Sequence, residues 1–417
     1  MDSTLKGRII EMGTEPHSKT DPSWIELTVG NASHFLQLDP ALQTPPLAKG
    51  LWIEVQLNDQ HRITHLTSLG GPAPGKWNPL SDALRWRRPV GKKSRMSKLQ
   101  QRQDMLAAIR SHFYGENFLE IETPLLVKGT CPDAHIESIQ AGEGYLVTST
   151  EYQIKRLLVG GFEKVFTLTK NFRAHDRGRY HASEFTMLEW ARSFATLPDI
   201  EKDAVQFIRQ AFQTIHPHQN TLEVQGSTID FLEYPWERIT VREAFEKYLG
   251  LRNLADFARE SLVESAHQAK IELPPHFKGD AHLVLSYLLD LLQPHLGTKT
   301  PTFLREWPAF MTSSGEVNLP DPHVAERSEL YIAGIEIADG FPFLRNAETQ
   351  KRFFQRELAR RQANEQNPVA LDSLYLEALS QGIPPGAGMA LGIDRLALVL
   401  TQSESIEEVQ AFSWNEI

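Results

Sequence analysis

Three groups of charged residues, far apart in the sequence, are of the types that hold a polyphosphate. The first is a loop between two strand-like runs, which carries Arg173, Arg177 and Arg179. A guanidinium can hold phosphate or carboxylate oxygens through two parallel hydrogen bonds, and it keeps its charge at every physiological pH. A charged hairpin loop standing alone is more often only a solvated surface. The loop therefore indicates a binding site only in combination with the other two groups.

The second group lies in the segment SELYIAGIEIADGF. A two-residue turn at 333–334 would place Tyr331 opposite Glu336, with Glu329 diagonal to Glu336 on the same face. Two crowded carboxylates need a cation between them, and oxygen ligands of this kind suit Mg²⁺ with a phosphate completing its shell. The alternative is that one carboxylate pairs with an arginine such as Arg327.

The third group is GAGMALGIDRLALVL, which starts at Gly386. The glycine spacing differs from the dinucleotide-binding fingerprint. A glycine-bearing strand lets a flat ligand approach the backbone, and the helix that follows has Arg395 in its first turn. With Arg173 and the two carboxylates, Arg395 completes a set that suits the triphosphate of ATP together with Mg²⁺.

The elements that must position these groups fall into three predicted regions. Residues 1–70 contain five short alternating strands and predict a small OB-like β-barrel. Its aromatic and basic residues are not grouped, so a structural or protein-binding barrel is at least as well supported as an RNA-binding one. Residues 71–95 form a Pro/Gly-rich and basic linker, and residues 96–417 form the catalytic domain.

Within the catalytic region, apolar residues at helical spacing predict a helix near residues 97–118, followed by a strand ending at Pro124. A block from 198 to 297 is mostly helical in pattern, with Thr240 and Glu243 as a capping box. Strands return from Thr302. Strands interrupted by a helical block predict an α+β domain with a largely antiparallel sheet flanked by helices.

Composition limits the function further. The chain has 417 residues, a formal net charge of -10 and one cysteine, Cys131. No apolar run approaches the roughly 20 residues that span a bilayer, so we expect a cytoplasmic protein without a membrane partner. The stretch 85–102 has eight Lys or Arg and no acid. It is either a solvated linker or a docking surface for an acidic protein or RNA.

The motifs resemble those of a known family. FRAHDRGRYHASEFTMLEW resembles motif 2 of the class II aminoacyl-tRNA synthetases, GAGMALGIDRL resembles motif 3, and the helix and strand ending at Pro124 resemble motif 1. TSTEYQIKRLLVGG and HVAERSELYIAGIEIADGF are most similar to the lysyl branch. GRYH, and EW where the synthetases have EL, resemble its tRNA-independent members, the elongation factor P lysine ligases. The resemblance runs from about Ser97 to Ile417.

The resemblance implies amino-acid activation by ATP. Arg173 would hold the α-phosphate and the amino-acid carboxylate, and Arg395 the γ-phosphate, as the catalytic pair. Glu329 and Glu336 would bind Mg²⁺. The implied ATP-binding residues are Arg173, His175, Glu336, Ile337, Gly392 and Arg395. His175 and Ala182 depart from the family pattern, which predicts weaker reading of adenine.

The resemblance also implies an amino-acid pocket, with Glu151 at the α-amino group and Glu189 at the side chain. Three positions depart from the family pattern: Ala191, which enlarges the space beside Glu189, Phe343, which replaces a carboxylate, and Asp339. We therefore expect a cationic amino acid held in altered geometry, with Asp339 compensating for the lost carboxylate. The implied amino-acid-binding residues are Ser149, Glu151, Glu189, Ala191, Asp339 and Phe343.

Three functions follow as hypotheses. The favoured one is an AMP-forming ligase that transfers a lysine-like amino acid to a lysine of an elongation factor P type protein. The second is a lysyl-type synthetase that aminoacylates tRNA, supported by the barrel in front of the catalytic domain. The third is a binding or regulatory protein on a degenerate synthetase scaffold. Motif 1 implies a homodimer in each case.

Overall fold

The structure is a computed structural model that describes residues 3–13, 22–29, 32–42, 46–72, 89–90, 93–233, 235–277, 279–312, 315 and 320–417. The chain divides into two compact units, 1–98 and 99–417. Most of the predicted linker and part of the basic stretch, residues 73–88, 91 and 92, lie outside the described residues.

The first unit contains a closed five-stranded barrel. Its strands alternate between buried apolar residues, such as Ile9, Ile25 and Ile53, and outward-facing polar ones. This period of two lets each strand contribute one face to the barrel core. The strand order is β1-β2-β3-β5-β4. The bounds are β1 Ser3–Gly13, β2 Trp24–Val29, β3 Ala32–Leu38, β4 Trp52–Leu57 and β5 Arg62–Gly70, and a short hairpin follows with β6 Pro89–Val90 and β7 Lys93–Ser94.

The outer face of the barrel corrects one expectation from sequence. Arg8 lies directly opposite Trp52, with its guanidinium 5.6 Å from the indole centroid. The rings of Trp24 and Phe35 lie 6.2 Å apart. These aromatic residues and one arginine are therefore grouped on neighbouring strands, because cross-strand pairing joins positions that are far apart in sequence.

The second unit is built on an eight-stranded sheet with the order β16-β17-β18-β19-β20-β13-β12-β8. All its pairings are antiparallel except the two at the edges, β16 with β17 and β12 with β8. The strands of the sheet are β8 Leu119–Glu120, β12 Lys164–Phe172, β13 Glu184–Ser193, β16 Glu237–Thr240, β17 Thr302–Pro308, β18 Val324–Ile332, β19 Ile335–Pro342 and β20 Gly386–Gly392. The predicted α+β class with an antiparallel sheet is confirmed.

Helices cover the sheet, and a three-stranded sheet and a hairpin lie outside it. The other strands are β9 Leu126–Val127, β10 Gln140–Ala141, β11 Gly144–Leu146, β14 Thr221–Val224 and β15 Ser227–Asp230. The helices are α1 Arg95–Gly115, α2 Glu151–Val159, α3 Leu197–Ile215, α4 Val241–Ala244, α5 Arg259–Gln268, α6 Ala281–Leu292, α7 Ala347–Ala363, α8 Ser373–Ser380 and α9 Ile393–Leu400. Within the described part of the chain, none of the helices combines the length and apolarity needed to cross a bilayer.

The predicted helical block is interrupted by the hairpin β14–β15 and by the strand β16. Outside that block, β8 is only two residues long where the sequence predicted a longer strand. The capping box at Thr240 and Glu243 is present, with the Glu243 amide donating to Oγ1 of Thr240. The helix that it opens is short and continues as a π-helix through Leu249.

The sheet order places the three charged groups together. β18, β19, β20, β13 and β12 are consecutive neighbours. Buried aliphatic and aromatic residues, among them Leu188, Leu330 and Leu391, fill the face that packs on α3 and α9. The polar residues of the same strands therefore share the opposite face, since side chains alternate along a strand.

Candidate active site

Arg173 follows β12 and faces the cavity on this polar side of the sheet. Its guanidinium lies 5.3 Å from the ring centroid of Phe185. The Nε atom is buried and has no hydrogen-bond partner among the described residues. A buried donor of this kind costs free energy unless a ligand satisfies it. The atom is therefore suited to an anionic ligand.

Arg395 lies in the first turn of α9, as the sequence predicted for a strand running directly into a helix. Its Nη1 donates to the backbone oxygen of Glu336 at 2.9 Å, and its Nε to that of Tyr180 at 3.3 Å. The carboxylate of Glu336 lies 3.4 Å from the same guanidinium. These contacts fix the direction of the guanidinium while leaving it charged.

The imidazole of His181 interacts with the positive charges of both Arg395 and Arg173. Nη2 of Arg395 is 2.6 Å from Nε2 of His181. Burial lowers the pKa of His181, and the charges of Arg395 and Arg173 lower it further. The neutral imidazole can accept a hydrogen bond from Arg395 and adds no positive charge. The positive charge at this end of the cavity therefore comes from the two arginines.

Tyr331 lies opposite Glu336, as the sequence predicted, but Glu329 is not diagonal to Glu336 as expected. Both turn residues, 333 and 334, have positive φ, which suits a two-residue hairpin. A bulge between Leu330 and Tyr331 then brings Glu329 opposite Asp339. Glu336 and Asp339, three residues apart, both line the cavity.

Arg327 binds two of these carboxylates, which is the alternative that the sequence left open. It donates to Glu329 at 2.5 Å and to both oxygens of Asp339 at 2.8 and 3.1 Å. The Tyr331 hydroxyl donates to the other oxygen of Glu329 at 2.5 Å. Burial raises the pKa of Glu329. Arg327 thus pairs directly with two carboxylates, whereas the third, Glu336, lies beside Arg395.

The fit of Mg²⁺ differs between the two implied ligands. The described residues contain no group of three or more His, Cys, Asp or Glu side chains arranged around one point. Glu336 is 37% exposed and has one long contact to Arg395, so it fits a cation shared with a phosphate. Glu329 fits only when its bond from Arg327 or Tyr331 is exchanged for the metal.

Glu189 lies on β13 and is 4% exposed. The Ser149 hydroxyl donates to its Oε1 at 2.9 Å, and the Thr150 amide donates to the same oxygen at 2.8 Å. Burial raises the pKa of Glu189 to about 7, although these two hydrogen bonds oppose the rise. No cation among the described residues pairs with this carboxylate, so it can accept an ammonium group.

Glu151, by contrast, already has a cationic partner. Nζ of Lys155, one turn later in α2, lies 2.7 Å from its Oε1, and Lys155 is 1% exposed. The ammonium also lies 5.4 Å from the ring of Phe341 and 5.7 Å from that of Phe343. The charge of Glu151 is therefore balanced by Lys155, whereas no cation in the described ranges balances that of Glu189.

Ala191 and Phe343, two of the departures from the family pattern, are neighbours in space. An ideal Cβ built on Gly388 would lie 3.3 Å from the Phe343 ring and 3.4 Å from the Ala191 methyl group. Both residues belong to one buried cluster that includes Tyr152 and Tyr375. The ring of Phe343 thus packs beside the small side chain of Ala191.

A single cavity of about 570 Å³ collects nearly all the implied residues. The residues that line it are Ser149, Glu151, Arg173, Glu189, Ala191, Glu329, Glu336, Ile337, Asp339, Phe343, Gly392 and Arg395. His175 is the exception: it is exposed, has φ of 61° and is not part of the lining. Sequence reasoning missed the role of Lys155, whose spacing of four residues from Glu151 in a helix is the signal that could have found it.

Comparison with protein families matches residues 84–416 to the tRNA synthetases of class II (D, K and N). The elongation factor P--(R)-β-lysine ligase of Salmonella dublin is 33% identical over 332 residues, which cover 76% of this chain and 94% of that protein. The protein of the same name from Salmonella paratyphi B is 32% identical over the same shares of both chains. The barrel strands lie before the residues that the family matches.

Proposed function

The chain belongs to the class II tRNA synthetase family (D, K and N), and from this we propose that it is an ATP-dependent ligase that activates a lysine-like amino acid and transfers it to a protein lysine. The observation that carries this proposal is one cavity lined by Arg173, Arg395 and Glu189, in which Arg173 lies beside Ser183 and Glu189 lies six residues after Ser183, on β13, with no cationic partner among the described residues. Such a cavity is suited to an anion and an ammonium group at once.

The proposed first step is adenylation. A carboxylate oxygen of the amino acid attacks the α-phosphorus of ATP, the bond to the β-phosphate breaks, and pyrophosphate leaves. Arg173, with its unsatisfied Nε, binds the α-phosphate as charge develops there, and Arg395 binds the γ-phosphate. Both guanidiniums line one cavity, so catalysis consists mainly of alignment and charge stabilisation. Mg²⁺ would be held by Glu336, and also by Glu329 once that carboxylate gives up its bond from Arg327 or Tyr331, and the ion would neutralise phosphate charge.

In the proposed second step the acceptor lysine, as a neutral amine, attacks the carbonyl carbon of the adenylate. An amide bond forms, the bond to the phosphate oxygen breaks, and AMP leaves. The relatives are named for (R)-β-lysine and elongation factor P, and we carry both classes over to this chain. Glu189 supports a cationic amino acid, because within the described part of the chain only the neutral donors of Ser149 and Thr150 contact its carboxylate and no cation pairs with it.

The test supplies ATP with labelled lysine or (R)-β-lysine, and either elongation factor P from the same cell or total tRNA. ATP–pyrophosphate exchange with these amino acids and label on elongation factor P are expected. Label on tRNA alone would make the chain a tRNA synthetase. Absence of exchange with all amino acids and their β-isomers would favour a scaffold without catalysis.

The barrel favours tRNA aminoacylation as a second candidate. Phe35 is 72% exposed, Trp52 is 43% exposed, and Arg8 stacks on Trp52. Exposed aromatic residues with an arginine can stack single-stranded bases. However, Glu11, Glu26 and Glu54 lie on the same outer face. Glu54 and Glu11 form ion pairs with Lys6 and Lys49, so these lysines are not free to neutralise phosphates, the contribution that dominates RNA binding.

A homodimer is part of the proposal. β8 forms an edge of the large sheet and contains Leu119, which is 50% exposed. Leu125 and Leu126, a few residues later in the chain, are 41% and 56% exposed. Exposed apolar groups next to an unpaired strand edge commonly mark an interface between subunits. Leu119 lies in the segment that resembles motif 1, and Leu125 and Leu126 follow directly after its last residue, Pro124.

A further inference from the structure

The outer part of the cavity, between α6 and α7, has charged residues that adenylation does not use. α6 contributes His282 and Asp290 to the lining, and α7 contributes Arg356 and Arg360. The same cavity holds the two phosphate-binding arginines. This outer part is therefore continuous with the place where the adenylate would form.

The α7 wall keeps a net positive charge. Arg356 and Arg360 each lie 3.2 Å from the same carboxylate, that of Glu357. The Glu357 side chain is 4% exposed, whereas those of Arg356 and Arg360 are 35% and 31% exposed. One buried carboxylate balances only one of two guanidiniums. The second positive charge faces the cavity and can bind an anion through paired hydrogen bonds.

Neighbouring groups hold both guanidiniums in place without neutralising them. Arg356 donates to the backbone oxygen of Thr312 at 2.9 Å. Arg360 hydrogen bonds to Nε2 of His282. Burial and then the charge of Arg360 lower the pKa of His282 to about 4, so this imidazole is neutral. The arginine pair is thus oriented in advance, which lowers the entropy lost on binding.

The α6 wall has the opposite sign. Asp290 is exposed and has no ion pair among the described residues. A polyanion such as the end of an RNA would be repelled by Asp290. A protein segment with an acidic residue near a lysine would match both walls.

We propose that Arg356 and Arg360 dock an acidic side chain of the protein acceptor, next to the lysine that is modified. Asp290 attracts the ammonium of that lysine during approach. This inference rests on the proposed function, because it assumes that the acceptor is a protein. It goes beyond that function by naming the docking residues and the charge of the acceptor segment.

The experiment compares Arg356→Gln and Arg360→Gln with Arg352→Gln as a matched control. Arg352 lies one turn before Arg356 on α7, is exposed and is not part of the cavity lining, so the charge change is the same. For each full-length variant we would measure the Kd for elongation factor P from the same cell, the KM for it in transfer, and pyrophosphate exchange. We expect Kd and KM to rise about tenfold for the first two variants and less than about twofold for the control.

Pyrophosphate exchange should stay within about twofold of wild type in all three variants, since no phosphate contact is changed. Unchanged Kd and KM in both test variants, or an equal loss in the Arg352→Gln control, would overturn the inference. Lost exchange would assign the arginines to adenylation instead, and weakened binding of total tRNA would make the surface an RNA site. If the wild-type protein shows no pyrophosphate exchange, only the proposed function is refuted, because the Kd comparison still tests docking. If the wild-type protein does not bind elongation factor P, the docking site is rejected.

Discussion

Glu189 should set the pH dependence of amino-acid recognition. Burial raises its pKa to about 7, and the carboxylate must be ionised to hold an ammonium group. The ionised fraction is then about one tenth at pH 6 and about nine tenths at pH 8. The ammonium of a lysine side chain stays charged across this range. We therefore expect the KM for lysine or (R)-β-lysine to fall about tenfold between pH 6 and pH 8.

The same pKa has a consequence for stability. The pKa of Glu189 is 4.5 in the unfolded chain and about 7 in the folded protein. Between pH 4.5 and about pH 7, the folded protein therefore holds a proton on Glu189 that the unfolded chain has lost. The stability due to this proton is fully present below the unfolded pKa and is lost as the pH rises through the folded pKa. At pH 8 without substrate, the buried charge of Glu189 costs about 3 kcal/mol of the free energy of unfolding.

Glu189→Gln tests both expectations. The donors from Ser149 and Thr150 meet the same oxygen, Oε1, so an amide oxygen can accept both bonds while the charge is removed. In pyrophosphate exchange at pH 6, 7 and 8, the variant should have a high KM for the amino acid that does not change with pH. In urea at pH 8 it should be more stable than wild type, by about 3 kcal/mol. A flat KM in wild type, or the wild-type slope in the variant, would refute the assignment.

Three further predictions concern phosphate, metal and assembly. Arg173→Ala and Arg395→Ala should each lower pyrophosphate exchange by at least about a hundredfold with unchanged circular dichroism, because both stabilise developing charge; near-normal exchange would disprove the role. Glu336→Gln should raise the Mg²⁺ concentration needed for half-maximal exchange, and an unchanged titration would leave Glu336 only its pairing with Arg395. Wild type should sediment as a dimer at micromolar concentration and Leu126→Asp as a monomer; a monomeric wild type would reject the interface.

The parts of the site that depend on local geometry could be predicted from the sequence. The turn at 333–334 and the alternation of side chains fix which residue of β19 faces Tyr331, and the observed partner is Glu336. The passage from a glycine-bearing strand into a helix likewise places Arg395 in a first turn. Both inferences need only the geometry of one hairpin or one strand and helix.

Features that depend on distant packing could not be predicted in the same way. Lys155 is enclosed by Phe341 and Phe343, which come from the end of β19 and the residue after it, and no local pattern joins them to α2. The hairpin β14–β15 was missed because strands of four residues carry too few alternating positions to stand out within a helical block. The grouping of Arg8 with Trp52 follows from barrel closure, which a linear reading does not contain.

The bulge in the β18–β19 hairpin changes how the segment EIAD can be read. Glu336 and Asp339 are separated by Ile337 and Ala338, which are 1% and 2% exposed. Polar, apolar, apolar, polar is the signature of one turn of a helix, in which positions i and i+3 share a side. In β19 the bulge adds one unpaired residue, Ile337, so Glu336 and Asp339 lie on the same face of the strand although they are three residues apart. A sequence search for carboxylate pairs that allows only a spacing of two residues along a strand would miss Glu336 and Asp339. A search that also allows a spacing of three residues beside a tight turn would detect this pair.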